Sequence, residues 1–157
     1  MLLALSLAAL GCAKPLATLD VAEPAAGRPT LERSETESSV SRSGRVVTLA
    51  RRYLGARYAW GGSSPAGFDC SGFVMYVYSH VGVSLPHNAA KQYRYGAPVT
   101  RGQLEPGDVV FFDDLHHTGI YIGDGRFIHA RRSGHGVIIS GLNESWYRAR
   151  WVGGRRF

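Results

Sequence analysis

The order of apolar and polar residues predicts helices in the first part of the folded chain. Apolar side chains recur every three or four positions over Val46–Leu54, with arginines between them, and Gly55 can end this helix. A second helix is predicted over Cys70–Val81, and a short third one near Asn88–Tyr93. These elements occupy the chain up to about residue 95.

After residue 100 the pattern changes to short runs rich in β-branched and aromatic residues. Turn sequences with Gly, Pro and Asp occur at 105–108, 123–125 and 153–154, and the turn at 123–125 predicts a hairpin. The predicted strands are Asp108–Phe112, Thr118–Gly123, Gly125–Ala130, Gly136–Ser140 and Tyr147–Val152. Helices followed by a series of strands predict an α+β fold with an antiparallel sheet.

The N-terminal residues 1–12 have a different pattern. The run MLLALSLAALG is too short to cross a bilayer as a mature helix, and it is typical of the apolar part of a secretory signal. Ala9-Leu10-Gly11-Cys12 resembles a bacterial lipoprotein signal, in which the cysteine is lipidated. We therefore expect a signal peptide with a lipid on Cys12. Its sorting would favour the outer membrane, facing the periplasm; a plain secretory signal would give a secreted or periplasmic protein.

Residues 13–43 are rich in Ala, Pro, Ser, Thr and Glu and show no regular apolar period. This composition predicts a solvated tether rather than a folded unit. One domain is expected over 44–157, since a chain of 157 residues has room for little more and shows no internal repeat.

Charge narrows the possible partners. The net charge is +6, and from residue 44 onward the chain carries fourteen basic and seven acidic residues. Such a surface favours polyanions in general. The chain has no Lys/Arg run with interleaved aromatics, so nucleic acid is not expected as a partner.

Cys70 is the only cysteine outside the N-terminal leader, and it begins the second predicted helix. A helix N-terminus stabilises a thiolate, and Asp69 is suited to cap the helix. A carboxylate beside the thiol opposes its ionisation, so Asp69 should have another task. Cys70 is a nucleophile on this interpretation. The alternatives are a buried structural cysteine, a disulfide with Cys12, or a zinc site that lacks the usual ligand spacing.

A cysteine nucleophile needs a base, which in proteins is usually histidine. Neighbouring strands would bring His116 or His117, at the start of one strand, close to His129 at the end of the next. One histidine could then act as the base and the other could orient it. Strand alternation alone does not choose between His116 and His117.

Five segments, taken together and in order, resemble the NlpC family of bacterial cell-wall cysteine peptidases, which are compact relatives of papain. The segments are Arg57–Gly62, Gly67–Val74, Leu85–Asn88 with Gln92, Leu104–Phe112 and His117–Ala130. The resemblance covers about residues 44–157. It implies a compact papain-like fold with N-terminal helices packed on an antiparallel sheet of about five to six strands, and an enzyme without a metal or other cofactor.

The resemblance also implies roles in catalysis. Cys70 would be the nucleophile, His117 the general base, and His129 the polar residue that holds the imidazole of His117. Tyr58 matches a tyrosine near the cysteine that binds the substrate or its oxyanion.

Further matches concern substrate binding. Asp69 and Ser71 match positions that contact the free amine of a stem peptide beginning with L-alanine, and Trp60 would line the groove. Many relatives have Arg at the position of His87 and Ser or Thr at that of Asn88.

The implied reaction is hydrolysis of the peptidoglycan stem at the bond between γ-D-glutamate and diaminopimelate, by a monomer held at a membrane through its lipid. A related amidase or acyltransferase acting on cell-wall or lipid amides is the alternative enzyme. A wall-binding lipoprotein without activity is the non-enzymatic alternative.

Overall fold

Six antiparallel strands form the sheet on which the longer helices pack. The computed structural model describes residues 42–132 and 134–157. The predicted signal peptide, the lipidation at Cys12 and the tether as far as residue 41 lie outside these residues. The α+β architecture predicted from the sequence is confirmed.

Helices cover the first part of the described chain and return briefly before the last strand. Their bounds are 42–52 (α1), Cys70–Ser79 (α2), Ala89–Gln92 (α3) and Ser145–Ala149 (α4), with a 3-10 turn at Arg101–Gln103. Residues 42 and 43, which the sequence assigns to the tether, lie in α1, and α2 ends two residues earlier than predicted. None of the helices in the described part of the chain combines the length and apolar character needed to cross a membrane.

The strands form one small hairpin and one large sheet. The hairpin pairs Ser63–Ser64 (β1) with Gly67–Phe68 (β2). The sheet consists of Ala97–Val99 (β3), Val109–Phe112 (β4), His117–Gly123 (β5), Arg126–Arg131 (β6), Gly136–Gly141 (β7) and Trp151–Arg156 (β8). Its strand order is β3-β8-β4-β5-β6-β7, and β5 and β6 form the hairpin predicted at residues 123–125.

The last predicted strand is wrong in its bounds. Tyr147 lies in α4, and the strand runs from Trp151 through Gly153 and Gly154, which the sequence suggested as a turn. A Cβ atom at Gly153 would lie 2.7 Å from the hydroxyl of Tyr93. A Cβ at Gly154 would lie 3.0 Å from the side chain of Leu104. These glycines therefore provide room for close packing inside a strand rather than a change of direction.

Apolar residues are buried on both faces of the sheet. In β4 the side chains alternate: Val109 and Phe111 join the core beneath α1 and α2, whereas Val110 and Phe112 join a second cluster with Tyr147 of α4. Burial on both faces explains why this strand is continuously apolar. It also places α4 against the face of the sheet opposite α2.

A buried ion pair joins β8 to the turn before β4. Asp108 is 2% exposed, and its two carboxylate oxygens accept hydrogen bonds from Nε and Nη2 of Arg156, both at 2.8 Å. The Asp108 carboxylate also accepts a bond from the backbone N–H of Glu105. This pair fixes the end of β8, which lies between β3 and β4, to the turn that leads into β4.

We predict that Arg156→Ala lowers the free energy of unfolding by about 2–3 kcal/mol, because it leaves the buried carboxylate of Asp108 without its partner. The loss is smaller than for a fully buried pair, since the Arg156 side chain of the wild type is partly exposed to water. Arg126→Ala is the matched control, since Arg126 pairs with the exposed Asp124 and should contribute less than about 1 kcal/mol. Urea unfolding of both variants measures the difference. Equal effects would contradict a special role for the Asp108 pair.

Candidate active site

A groove of about 880 Å³ runs past the start of α2, the start of β5 and the end of β6. Six of the residues predicted for the site line this groove, namely Tyr58, Trp60, Asp69, Cys70, Ser71 and His117. The seventh, His129, is fully buried and contacts His117. Residues that are far apart in the sequence thus meet in one place.

Asp69 holds the start of α2 in position. One carboxylate oxygen, Oδ1, accepts a hydrogen bond of 2.6 Å from the backbone N–H of Gly72, which makes Asp69 the N-cap of the helix. Oδ1 also accepts a bond from the hydroxyl of Ser71, and Oδ2 accepts one from the N–H of Gly61. Nε2 of His87 lies 2.9 Å from both oxygens. A single carboxylate therefore joins the helix, the β1–β2 region and the loop before α3.

Three glycines let the β1–β2 hairpin touch the start of α2. A Cβ atom at Gly72 would lie 2.1 Å from the carbonyl oxygen of Gly62, and one at Gly62 would lie 2.3 Å from that of Gly67. No side chain fits between these backbones. The position of Cys70 relative to the hairpin is consequently set by direct backbone contact.

Cys70 carries a free thiol at the first position of α2. Its Sγ lies 3.8 Å from the carbonyl oxygen of His116, next to the start of β5. Burial, and then the charge of Asp69, raise the pKa of the Cys70 thiol. Backbone hydrogen bonds from Thr118, Ser71 and Cys70 itself act in the opposite direction. The raised pKa keeps the resting group a thiol, and the opposing effect of Asp69 agrees with the expectation from the sequence.

His117, rather than His116, forms a histidine pair with His129. Nε2 of His117 lies 2.8 Å from Nδ1 of His129, whereas His116 is exposed and its Nδ1 lies 2.8 Å from the carbonyl oxygen of Asp113. Nε2 of His129 lies 3.1 Å from the hydroxyl of Ser140 and 3.2 Å from that of Tyr147. The result is a chain of polar groups that leads from the groove into the second core.

Both histidines of this pair are held neutral. Burial lowers the pKa of His117 to about 4. Burial, and then the neighbouring His117, lower the pKa of His129 well below its ordinary value. If Nε2–H of His117 donates to Nδ1 of His129, then Nε2–H of His129 donates to Ser140 or Tyr147. This tautomer leaves Nδ1 of His117 free to accept a proton.

The turn before His117 is strained. Asp113, Asp114 and Leu115 all have left-handed backbone conformations, with φ of 54°, 48° and 68°. Each such residue costs about 1 kcal/mol or more, which contacts elsewhere in the fold must offset. The N–H of Asp113 bonds to the carbonyl of Arg150, and that of His116 bonds back to Asp113. Contacts at both ends of the turn hold the conformation that presents His117 at the groove.

The wall of the groove contains two aromatic residues from the segment before β1. Burial, and then the proximity of Cys70, raise the pKa of Tyr58, so its hydroxyl is a hydrogen-bond donor at neutral pH. Trp60 is 80% exposed, which is unusual for so large an apolar side chain. The guanidinium carbon of Arg132 lies 5.3 Å from the centre of the Trp60 ring.

Three residues of this site are not predicted from the sequence, namely His87, Ser140 and Tyr147. In the sequence, His87 stands out only as a departure from the related sequences. The signal for its pairing with Asp69 is that an acidic and a basic residue flank the same helix, α2. Ser140 and Tyr147 gave no signal, because their contacts with His129 depend on strand register and on α4.

A zinc site would need a third ligand, and within residues 42–132 and 134–157 no group of three His, Cys, Asp or Glu side chains is placed to hold a metal.

Comparison with known proteins identifies the family. The model of the NlpC/P60 family matches residues 55–156. The chain belongs to the NlpC/P60 family. This confirms the resemblance found in the sequence motifs, and the match extends from Gly55, two residues before the Arg57–Gly62 segment, to the end of β8.

The most similar relatives include bacterial hydrolases. A "probable endopeptidase" of Mycobacterium tuberculosis is 40% identical over 126 residues, which cover 80% of this chain and 33% of the relative. The gamma-DL-glutamyl hydrolase of Bacillus subtilis is 44% identical over 119 residues, covering 71% and 29%. The chain thus spans about a third of the length of these relatives. A crystal structure of an NlpC/P60 family protein from Bacillus cereus matches with a TM-score of 0.71 at 36% identity, covering 73% of this chain and 40% of that one.

The neutral histidine pair predicts how stability depends on pH. Unfolded histidines take up protons near pH 6.5, whereas folded His117 and His129 do so only at much lower pH. The unfolded state therefore binds more protons between pH 6.5 and about 4, and the free energy of unfolding falls as the pH falls through this range.

We expect His117 to contribute a loss of about 2 kcal/mol between pH 7 and pH 5, and His129 to add a loss of the same sign. Urea unfolding at pH 7, 6 and 5 measures the total loss, and His129→Gln should show a smaller loss than the wild type. The same pH dependence in both proteins would argue against buried neutral imidazoles.

Proposed function

We propose that this protein is a cysteine peptidase that hydrolyses an amide bond in the stem peptides of peptidoglycan. One observation supports this above all: a free thiol at a helix N-terminus shares a groove with His117, whose imidazole contacts the buried His129. Nucleophile, base and orienting group form the arrangement that nucleophilic catalysis requires. Membership of a family with bacterial endopeptidases supports the same reaction class.

The proposed reaction begins with proton transfer. Because the pKa of Cys70 is raised and that of His117 is lowered, the resting pair is neutral. The thiol proton passes to Nδ1 of His117 as the sulfur attacks the carbonyl carbon. Positive charge on His117 is then stabilised through its bond to His129, whose second nitrogen contacts hydroxyl groups.

The tetrahedral intermediate needs donors for its oxyanion. The hydroxyl of Tyr58 remains protonated at neutral pH, and the backbone N–H groups at the start of α2 point towards the sulfur; both are suited to this task. When the C–N bond breaks, His117 gives its proton to the leaving amine and an acyl-enzyme remains. His117 then takes a proton from water, which hydrolyses the thioester.

For the bond, we propose the one between γ-D-glutamate and diaminopimelate. The gamma-DL-glutamyl hydrolase among the relatives supports a γ-glutamyl bond. Asp69 supports a stem with a free N-terminal amine: Oδ2 has two hydrogen-bond partners among the described residues and can accept a bond from an ammonium group. The amine and the scissile bond would then be positioned from neighbouring residues, Asp69 and Cys70.

Replacing the nucleophile tests the reaction. Cys70→Ala should reduce hydrolysis of purified muropeptides by about 10⁴-fold or more, because it removes the thiol on which the acyl-enzyme forms. Mass spectrometry should show release of L-Ala-γ-D-Glu by the wild type only. Cleavage elsewhere or acyl transfer by the wild type would favour the related amidase or acyltransferase. Undiminished activity in Cys70→Ala would rule out this mechanism.

Recognition of the amine is tested separately. Asp69→Asn should lower kcat/KM about tenfold or more on stems with a free L-Ala amine, because the charge-assisted bond is lost. On the same stems with an acetylated amine, the variant and the wild type should differ much less. Thermal unfolding of the variant accounts for any weakening of the α2 cap. An equal loss on both substrates would show that Asp69 acts only on the helix.

A further inference from the structure

Two exposed arginines line the groove without a partner in the described part of the chain. Arg131 is the last residue of β6, and Arg132 follows it. Neither guanidinium forms a hydrogen bond or an ion pair with any residue in 42–132 or 134–157. The nearest aromatic ring to Arg132 is that of Trp60, over which its guanidinium lies.

The acidic side chains of the same groove are already engaged. Asp69 is paired with His87, and Asp113 lies 3.5 Å from Nε of Arg150. Oε1 of Glu144 accepts a bond of 2.6 Å from the N–H of Gly141. Arg131 and Arg132 therefore carry positive charge that is available to a ligand in the groove.

The two arginines lie close to the reacting groups. Arg131 is two residues after His129 in the same strand, so both side chains start on the same face of the sheet. Its charge contributes to the lowered pKa of His117. The charge of Arg132 acts on the hydroxyl of Tyr58. A carboxylate that bound both arginines would belong to a residue next to the bond that Cys70 attacks.

Trp60 supports the guanidinium of Arg132 through a cation–π contact. The planar fork of an arginine held in this way can bind a carboxylate with two parallel bonds. This contact also gives the largely exposed Trp60 ring a function. An arginine without such support would lose more side-chain entropy on binding.

The substrate of the proposed reaction carries suitable carboxylates. In a γ-linked D-glutamate the α-carboxylate is free, and diaminopimelate has a free carboxylate at its second amino-acid centre. Both lie within one residue of the scissile bond. In stems where either group is amidated, that negative charge is absent.

We propose that Arg131 and Arg132, supported by Trp60, form a carboxylate-binding subsite that makes the protein selective for stems with free rather than amidated carboxylates beside the scissile bond. This inference rests on the proposed function and adds a determinant of substrate choice to it. The carboxylate is that of D-glutamate or that of diaminopimelate, and the experiment distinguishes the two.

Three synthetic tetrapeptides serve as probes in assays of the full chain. The first is L-Ala-γ-D-Glu-diaminopimelate-D-Ala, in which the carboxylate of the attached diaminopimelate centre is in peptide linkage. The others carry a single amide at the glutamate α-carboxylate or at the second carboxylate of diaminopimelate. We expect the wild type to cleave one amidated peptide with a kcat/KM about tenfold or more below that of the first, mainly through KM. The amide that causes the loss identifies the carboxylate that is bound.

The variants Arg131→Gln and Arg132→Gln should lose this preference, so that free and amidated peptides are cleaved with similar kcat/KM. Arg148→Gln is the matched control, because Arg148 is exposed on α4 outside the groove and should leave the preference unchanged. Arg132→Lys keeps the positive charge but not the planar fork, and should retain only part of the wild-type preference for free carboxylates.

Two negative results are distinguishable. Equal cleavage of all three peptides by the wild type, or a uniform loss in the arginine variants, would overturn the subsite and leave the proposed function in place. No cleavage of any peptide by the wild type would overturn the proposed function and the subsite with it.

Discussion

The half of the site that holds Cys70 depends on the hydrogen bonds and the ion pair made by the carboxylate of Asp69. It caps α2, fixes the backbone at Gly61 and pairs with His87, so three separate segments share one acceptor group. Close backbone contact at Gly72 adds a steric constraint, since no larger residue fits there. The same carboxylate raises the pKa of the neighbouring thiol. The local structure thus places the sulfur and keeps it a thiol, and in the proposed mechanism the other half of the site takes up the thiol proton.

That other half is built by the sheet. His117 and His129 meet because β5 and β6 are neighbours, and Gly119 leaves the space that their face of the sheet requires: a Cβ there would lie 3.0 Å from the Cβ of His129. The strained turn at 113–115 brings His117 to the groove, and the second core surrounds His129. Burial keeps both imidazoles neutral, which suits a group that must accept a proton.

The fold and the outline of the site could be predicted from the sequence, whereas several contacts within the site could not. Apolar periodicity and turn residues located α1, α2 and the strands of the sheet's centre, because these are local properties. The motif order pointed to Cys70, His117 and His129, and the structure brings these three together. Contacts of Ser140 and Tyr147 with His129 could not be predicted, since they depend on strand register and on a short helix whose residues looked like a strand. The glycine pair at 153–154 misled for a physical reason: glycine also serves where two backbones must approach closely.

The separation of the two halves along the chain has a consequence for the timing of activity. The sulfur belongs to a segment that is completed early in synthesis, whereas the imidazole pair needs β6, β7 and the helix at Ser145–Ala149 to be in place. On the proposed mechanism, a newly made chain that has not finished folding contains the thiol without its base. The proposed reaction would begin only when the last quarter of the sequence has joined the sheet.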